Sequence, residues 1–387
     1  MREKVCPERI WEKGVRTTML GLCLFTLGCG GGDAAPSASQ PITLPPSAPT
    51  PTPVPTPAPA PSPAPSPANF QAIIDAAENF DDSDFAIIIG DSNGIIFEYE
   101  KGVFPVSQQR LIASSTKWFT SATIMRLVEN GVMDLSDHPQ QYLSYWTSDP
   151  ADPRSEITLE QLLSFTSGFN ASPRVDSCVA DGSTTIQTCA EEIYGFDIAS
   201  DPGTTFAYGP HHMQIAAAMA ERATGLPFNT IFRDIIANPL GMSQASTYLS
   251  PSISNPRAAG GAATTSRDYA LFLQAILNGS LIADRDRFLE DRTDAVTFLF
   301  RPDGAEESGD WHYALGAWLE CDADPFVPAC TEAQIYSSPG SFGWTPWIDF
   351  QNGYFALIAR RGDFASADIA ISLEQILQPL IVEALSN

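Results

Sequence analysis

Lysine is nearly missing. The 387 residues hold four, Lys4, Lys13, Lys101 and Lys117, and only the last two lie beyond the N-terminal leader. Lysine and arginine together number 21 against 46 acidic residues, giving a formal charge of -25 and a pI near 4.3. So few cations cannot neutralise phosphates or an anionic bilayer, which sets aside nucleic acid and charged membrane surfaces as partners. Histidine is equally scarce, four in all. None stands at ligand spacing from a cysteine, so neither a zinc site nor another cofactor is expected. Internal repeats are absent. The apolar run near the N-terminus, Met19 to Gly28, is too short to cross a membrane. What remains is an acidic chain whose 44% hydrophobic content suffices for a sizeable core.

The leader has a secretory pattern. Lys13 and Arg16 precede the short apolar run, which ends in Leu27-Gly28-Cys29 and three glycines. Cys29 resembles the lipobox cysteine of bacterial lipoproteins, with Thr26 where that motif prefers leucine. The resemblance implies cleavage after residue 28, a lipid on Cys29 and an envelope protein facing the periplasm or cell surface. A membrane contact would then run only through that anchor. Residues 36 to 68 alternate Pro with Ala, Thr and Ser, a semi-rigid spacer that cannot bury a core. With Cys6 and Cys23 in the leader, four cysteines remain in two local pairs, Cys178 with Cys189 and Cys321 with Cys330. An exported protein sits where disulfides persist, and two short-loop bridges are expected.

The folded domain is expected over residues 69–387, as a monomer. The pattern gives a helix at 70–80, strands at 85–90 and 94–100, and a helix from Ser114 to about Gly131. Further helices are expected at 159–164, 213–223, 228–236 and 266–277. Strands follow at 313–319, 344–350 and 354–360, then a final helix at 366–385. Strands at both ends with helices between them suggest an α+β fold, an antiparallel sheet built from both ends of the domain. Gly90-Asp91-Ser92-Asn93-Gly94 matches the Gly-x-Ser-x-Gly elbow of α/β-hydrolases. That elbow needs a helix after the turn, and a strand is expected here, so Ser92 reads as a hairpin residue.

Ser114-Ser115-Thr116-Lys117 opens the first long helix. Positions i and i+3 share a helix face, so Ser114 and Lys117 point into the same space. A serine hydroxyl needs a base within hydrogen-bond reach, and a desolvated lysine can be that base. Other landmarks follow. Leu162-Leu163-Ser164-Phe165-Thr166-Ser167-Gly168, Pro202-Gly203 leading to Tyr208, Pro239-Leu240-Gly241-Met242, and Ser338-Pro339-Gly340 occur in that order. With Ser-x-x-Lys they resemble the serine β-lactamase and penicillin-binding-protein superfamily, in the branch of class C β-lactamases, DD-peptidases and family VIII carboxylesterases.

The resemblance implies a β-lactamase/transpeptidase-like fold and acyl transfer through an acyl-enzyme on Ser114, with Lys117 and Tyr208 sharing the proton work. The backbone N–H groups of Ser114 and Ser341 would form the oxyanion hole, and Ser338 and Gly340 would line the substrate site on an edge strand. Three departures bear on substrate. Phe165 replaces a histidine. Tyr208-Gly209-Pro210 replaces Tyr-x-Asn, leaving His211 or His212 either to take over the lost polar contact or to be structural. Ser338 replaces a basic residue, and losing a charge-assisted contact costs about 1.5–3 kcal/mol. Trp344, Trp347, Phe342 and Trp118 are candidates for an apolar pocket wall, Trp118 and Trp347 equally for the core. The expectation is an esterase-like enzyme acting on a small-molecule acyl substrate. A DD-peptidase or weak β-lactamase acting on cell-wall peptides or β-lactams is the alternative, and a non-catalytic cell-wall-binding lipoprotein is a reading of another class.

Overall fold

The run Phe85-Ala86-Ile87-Ile88-Ile89-Gly90 has no polar face, and a strand of that pattern must be covered on both sides. In the computed structural model, which describes residues 69–170, 178–302, 309–360 and 362–386, it is. The expected leader, Cys29 and the Pro-rich tract lie outside the described residues. Twelve strands are described: β1 (Phe85–Asp91), β2 (Gly94–Lys101), β3 (Arg110–Leu111), β4 (Thr205–Ala207), β5 (Thr247–Tyr248), β6 (Ala262–Thr264), β7 (Thr297–Phe300), β8 (His312–Tyr313), β9 (Trp318–Leu319), β10 (Ile335–Ser337), β11 (Thr345–Asp349) and β12 (Tyr354–Arg360). Seven form an antiparallel sheet in the order β2-β1-β12-β11-β10-β9-β8, so the first hairpin docks on the last. The register of that junction runs from Phe85 opposite Arg360 to Asp91 opposite Tyr354.

Alternate residues of β1 serve two cores. Ile87 and Ile89 join Ile73, Trp347, Tyr354 and Leu377 beneath the helices Gln71–Asn79 and Ala367–Ser386. Ala86 and Ile88 face the larger core, which contains the Thr116–Glu129 helix. That helix is buried around most of its circumference, as a helix without a continuous polar face must be. Phe119 stacks on Tyr269 at 4.6 Å and meets Phe272 edge-on at 4.8 Å. Two of its buried hydroxyls find backbone acceptors: Thr120 Oγ1 donates to the Ala258 carbonyl at 2.6 Å and Thr123 Oγ1 to that of Phe119 at 2.7 Å.

The β1–β2 turn confirms Ser92 as a hairpin residue. The Asp91 carboxylate accepts from the N–H groups of Asn93 (2.7 Å) and Gly94 (3.2 Å), and a strand follows. Two expectations need correction. The single strand over 313–319 is a hairpin, β8 and β9, whose turn contains Gly316 at φ +81°. A Cβ there would stand 2.4 Å from Ser121 Oγ and 2.6 Å from the Lys117 carbonyl, so only glycine lets the hairpin tip press against the long helix. The strand ending at Ser337 is not an edge: β10 is paired on both sides, with β9 and β11. Pro339 is tolerated because its neighbours supply the donors there, Ser338 N–H to the Pro346 carbonyl at 3.2 Å and Gly340 N–H to that of Trp344 at 2.8 Å, and the position between them displaces neither bond.

Both expected disulfides are present, Cys178–Cys189 with Cα atoms 5.1 Å apart and Cys321–Cys330 at 5.2 Å. Closing a loop of this length removes about 3 kcal/mol of chain entropy from the unfolded state. Replacing Cys178 and Cys189 together by alanine should therefore lower the unfolding free energy by about 2–3 kcal/mol in urea titration. An unchanged midpoint would show that the bridge carries no stability.

Candidate active site

Ser114 lies in a single 3-10 turn, Ala113–Ser115, ahead of the Thr116–Glu129 helix. The turn is entered through Ala113 at φ +45°, a conformation costing an L-residue about 1–2 kcal/mol, so its surroundings must hold it. Ser115, which sequence reasoning passed over, does so. Its buried hydroxyl lies 2.6 Å from the Ser338 carbonyl and 2.8 Å from that of Trp344, while its own carbonyl accepts from the Tyr269 hydroxyl at 2.9 Å. The Ser114 turn is thereby fastened to the segment that follows β10.

One helical turn on, Lys117 Nζ donates to Ser114 Oγ at 2.9 Å and to the Ala259 carbonyl at 2.8 Å. The side chain is 4% exposed. Burial first, and the like charge of Arg257 second, bring its ammonium down to about 7. Tyr208, at the end of the segment after β4, places its ring 4.5 Å from Lys117 Nζ and its hydroxyl in hydrogen-bond contact with Ser114. Burial raises the phenol well above its ordinary range, the Ser114 contact opposing, so Tyr208 keeps its proton at neutral pH. Trp318 stacks on the Tyr208 ring at 5.5 Å and Phe165 meets it edge-on at 5.0 Å. Phe165 thus supplies an apolar support where a histidine was expected from the resemblance. Neither Trp318 nor Arg257 was expected at the site; they approach through β9 and a distant loop, and no local pattern marks them.

A cavity of about 70 Å³ opens at Ser114, lined by Tyr208, Pro302, Trp318, Pro339, Ser341, Ala367 and Ile371. Ser114, Lys117, Tyr208 and Ser341 therefore come together. Four other candidates do not line it. The Ser338 hydroxyl turns inward to the Gly316 carbonyl at 3.1 Å. A Cβ on Gly340 would stand 2.2 Å from the Ile112 carbonyl, so the space there is filled by the nucleophile loop and not kept for substrate. Trp344 is fully buried against Tyr269. His211 is buried with its ring edge-on to Phe196, because the helix His211–Thr224 starts immediately after Pro210 and turns both histidines inward. His212 pairs through Nδ1 with Ser167 Oγ at 2.8 Å and packs on Phe165. Burial pulls His211 down to about 4 and His212 to about 3, so both are neutral at pH 7. Trp118 and Trp347 are core residues, and Phe342 faces Phe364.

A second cleft lies beyond β9, on the side of Leu319 and Tyr336, and shares no lining residue with the cavity at Ser114. Asp291, Asp294 and His312 bring ligand atoms within 4.8 Å of one another there. Asp291 already accepts from Thr293 and pairs with His312, which stacks on Phe326 at 3.8 Å, so the cluster holds the fold together at this edge.

A family model described as Beta-lactamase matches residues 108–371. Protein flp of Staphylococcus aureus (strain N315) is 24% identical over 135 residues, which cover 35% of this chain and 27% of flp. The match thus spans about a quarter of that relative's length. A crystal structure from Bacteroides dorei DSM 17855, of provisional beta-lactamase assignment, is 26% identical with a TM-score of 0.66, covering 83% of this chain and 100% of its own. EstCE1, described as a hydrolase with promiscuous acyltransferase activity, shares the fold at 14% identity and a TM-score of 0.63, over 82% of this chain and 97% of its own. The family model takes in the nucleophile turn, the tyrosine segment, the strands after 312 and the cavity wall at Ile371, and the chain belongs to the beta-lactamase family of serine hydrolases.

Proposed function

We propose that the protein is an exported hydrolase that forms an acyl-enzyme on Ser114 and acts on small, uncharged acyl esters. The observation that carries this is the buried Lys117 amine, 2.9 Å from Ser114 Oγ and brought down to about 7. A neutral amine at that distance accepts the serine proton as Oγ attacks the carbonyl. Tyr208 stays protonated and donates to the leaving oxygen, then regains a proton from the Lys117 ammonium. Among the described residues no backbone carbonyl takes the N–H of Ser114 or Ser341, which leaves both free for the oxyanion. Water then enters the vacated leaving-group position and attacks the acyl carbon as Lys117 takes its proton; the bond to Ser114 Oγ breaks, Lys117 returns the proton to Oγ, and the acid leaves.

The cavity supports the substrate class. At about 70 Å³ it is far below the several hundred of a drug-sized site. Among the described residues no lysine, arginine or histidine lines it, so these offer a substrate carboxylate no counter-charge there. That favours an ester over the carboxylate-bearing β-lactams and cell-wall peptides. The two disulfides support export; a lipid anchor at Cys29 belongs to the same proposal.

Short-chain p-nitrophenyl esters should be hydrolysed, and Ser114→Ala should lower kcat/KM by on the order of 10³-fold or more. Equal turnover by both proteins would sink the assignment of the nucleophile. The pH profile gives a separate check. Lys117 works only as the free amine, so kcat/KM should rise with pH through an apparent value of about 7. Lys117→Met should abolish that rise together with most of the activity; a rise that survives it would assign the base elsewhere.

A further inference from the structure

Two buried acids stand behind the cavity wall. Glu320 follows Trp318 by two residues, and Glu374 follows Ile371 by three; Trp318 and Ile371 both line the cavity at Ser114. Those spacings keep Glu320 on the Trp318 face of the sheet and Glu374 on the Ile371 side of the C-terminal helix, Ala367–Ser386. The two carboxyls meet in hydrogen-bond contact where helix and sheet join. Gln378 Nε2, one turn further along the helix, donates to Glu320 Oε2 at 3.0 Å.

Glu374 is fully buried and Glu320 8% exposed. Among the described residues the donors at this contact are the Ser337 hydroxyl and the Gln378 amide, too few for the oxygens of two ionised carboxylates. Such a pair is strongly unfavourable in a desolvated site unless a proton lies between the oxygens. Among the described residues nothing cationic offsets it. The charged and titratable groups acting on the pair are Asp322, just beyond β9, which adds repulsion, and Tyr354 on β12, whose own neighbours include Asp349 of β11. Burial pushes Glu320 up to about 7. Burial, then the Glu320 charge, lifts Glu374 well above the carboxylate range.

We propose that Glu320 and Glu374 share a proton and act as positioning residues, clamping the C-terminal helix to the end of β9 so that Ile371, Ala367 and Trp318 define the acyl pocket. Use of the pocket rests on the hydrolase reading above; the clamp itself does not. Loss of the shared proton sets two like charges against each other in a dry contact and loosens the helix. An unfolded glutamate releases its proton near 4.3, whereas the folded pair holds on to it. The clamp is therefore at full strength in acid and is lost as pH rises through the raised native values. Lys117 has the opposite dependence, so hydrolysis should pass through an optimum instead of reaching a plateau.

The test uses the full chain and its Glu374→Gln variant, in which the amide keeps the size and one donor to Glu320 but cannot ionise. Hydrogen exchange of residues 367–386, corrected for intrinsic rate, is followed from pH 6 to 9.5, together with KM and kcat for p-nitrophenyl butyrate. In the parent protein, protection of the helix should fall at least tenfold across that range, and above pH 8, where Lys117 is already the free amine, KM should rise severalfold with a smaller change in kcat. E374Q should show neither trend. Identical pH dependence in both proteins would overturn the clamp. If no ester is turned over, the exchange arm alone decides, so a wrong substrate and a wrong clamp are told apart. Should E374Q fail to fold, Glu320→Gln makes the same comparison from the other side of the pair.

Discussion

An amine stripped of its water is the condition on which the site depends. Lysine in solution keeps a tight hydration shell and a pKa near 10.4. Inside this protein Lys117 keeps two acceptors, Ser114 Oγ and the Ala259 carbonyl, and a tyrosine ring. Among the described residues no carboxylate compensates it, and Arg257 opposes its charge. Desolvation at this position needs walls on every side. The β8–β9 turn provides one, pressed against the Lys117 carbonyl through Gly316. Tyr208, held between Trp318 and Phe165, provides another. A single small residue and three rings thus set the protonation state of one nitrogen.

Ser114 is held as firmly as its neighbour is dried. Ser115 spans from the turn to two carbonyls beyond β10, and Gly340 lets the Ile112 carbonyl approach to where a side chain would otherwise stand. Ser114 and the Ser341 segment are consequently fixed to each other through short contacts. The far side of the cavity is built differently, from Trp318 and from Ala367 and Ile371 on the first turns of the last helix. One side of the pocket is locked by a buried hydroxyl against two backbone carbonyls, while the other is set by how a helix rests on a sheet.

Local chemistry made the first side readable. Ser114 and Lys117 are one helical turn apart, and Tyr208 stands in a segment with its own landmarks, so their meeting could be anticipated. The Asp91–Gly94 turn was equally legible, since hairpin chemistry is contained in four residues. The errors lie where the deciding partner is remote. Ser338 and Gly340 stood in the expected place, but Ser338 faces Gly316, 22 residues back across the sheet, and Gly340 faces Ile112, more than 200 residues back, and pattern reveals neither contact. Trp344 and His211 are amphipathic residues that suit a pocket or a core equally well, and the packing of Tyr269 and Phe196 decided it. The strand over 313–319 was read as continuous because its apolar residues hide a turn that only Gly316 discloses.

The pairing of β1 with β12 has a consequence for how the molecule comes into being. The first strands emerge from the ribosome with one neighbour each, and the central ladder cannot close until residues 354–360 have been made. Contacts of such sequence separation are slow to form, because chain entropy is lost before they return any stability. The cavity waits longer still, since its last wall is Ile371. A newly made chain therefore remains inert and threadable through synthesis, and acquires its reactive serine only once its whole length is free to collapse.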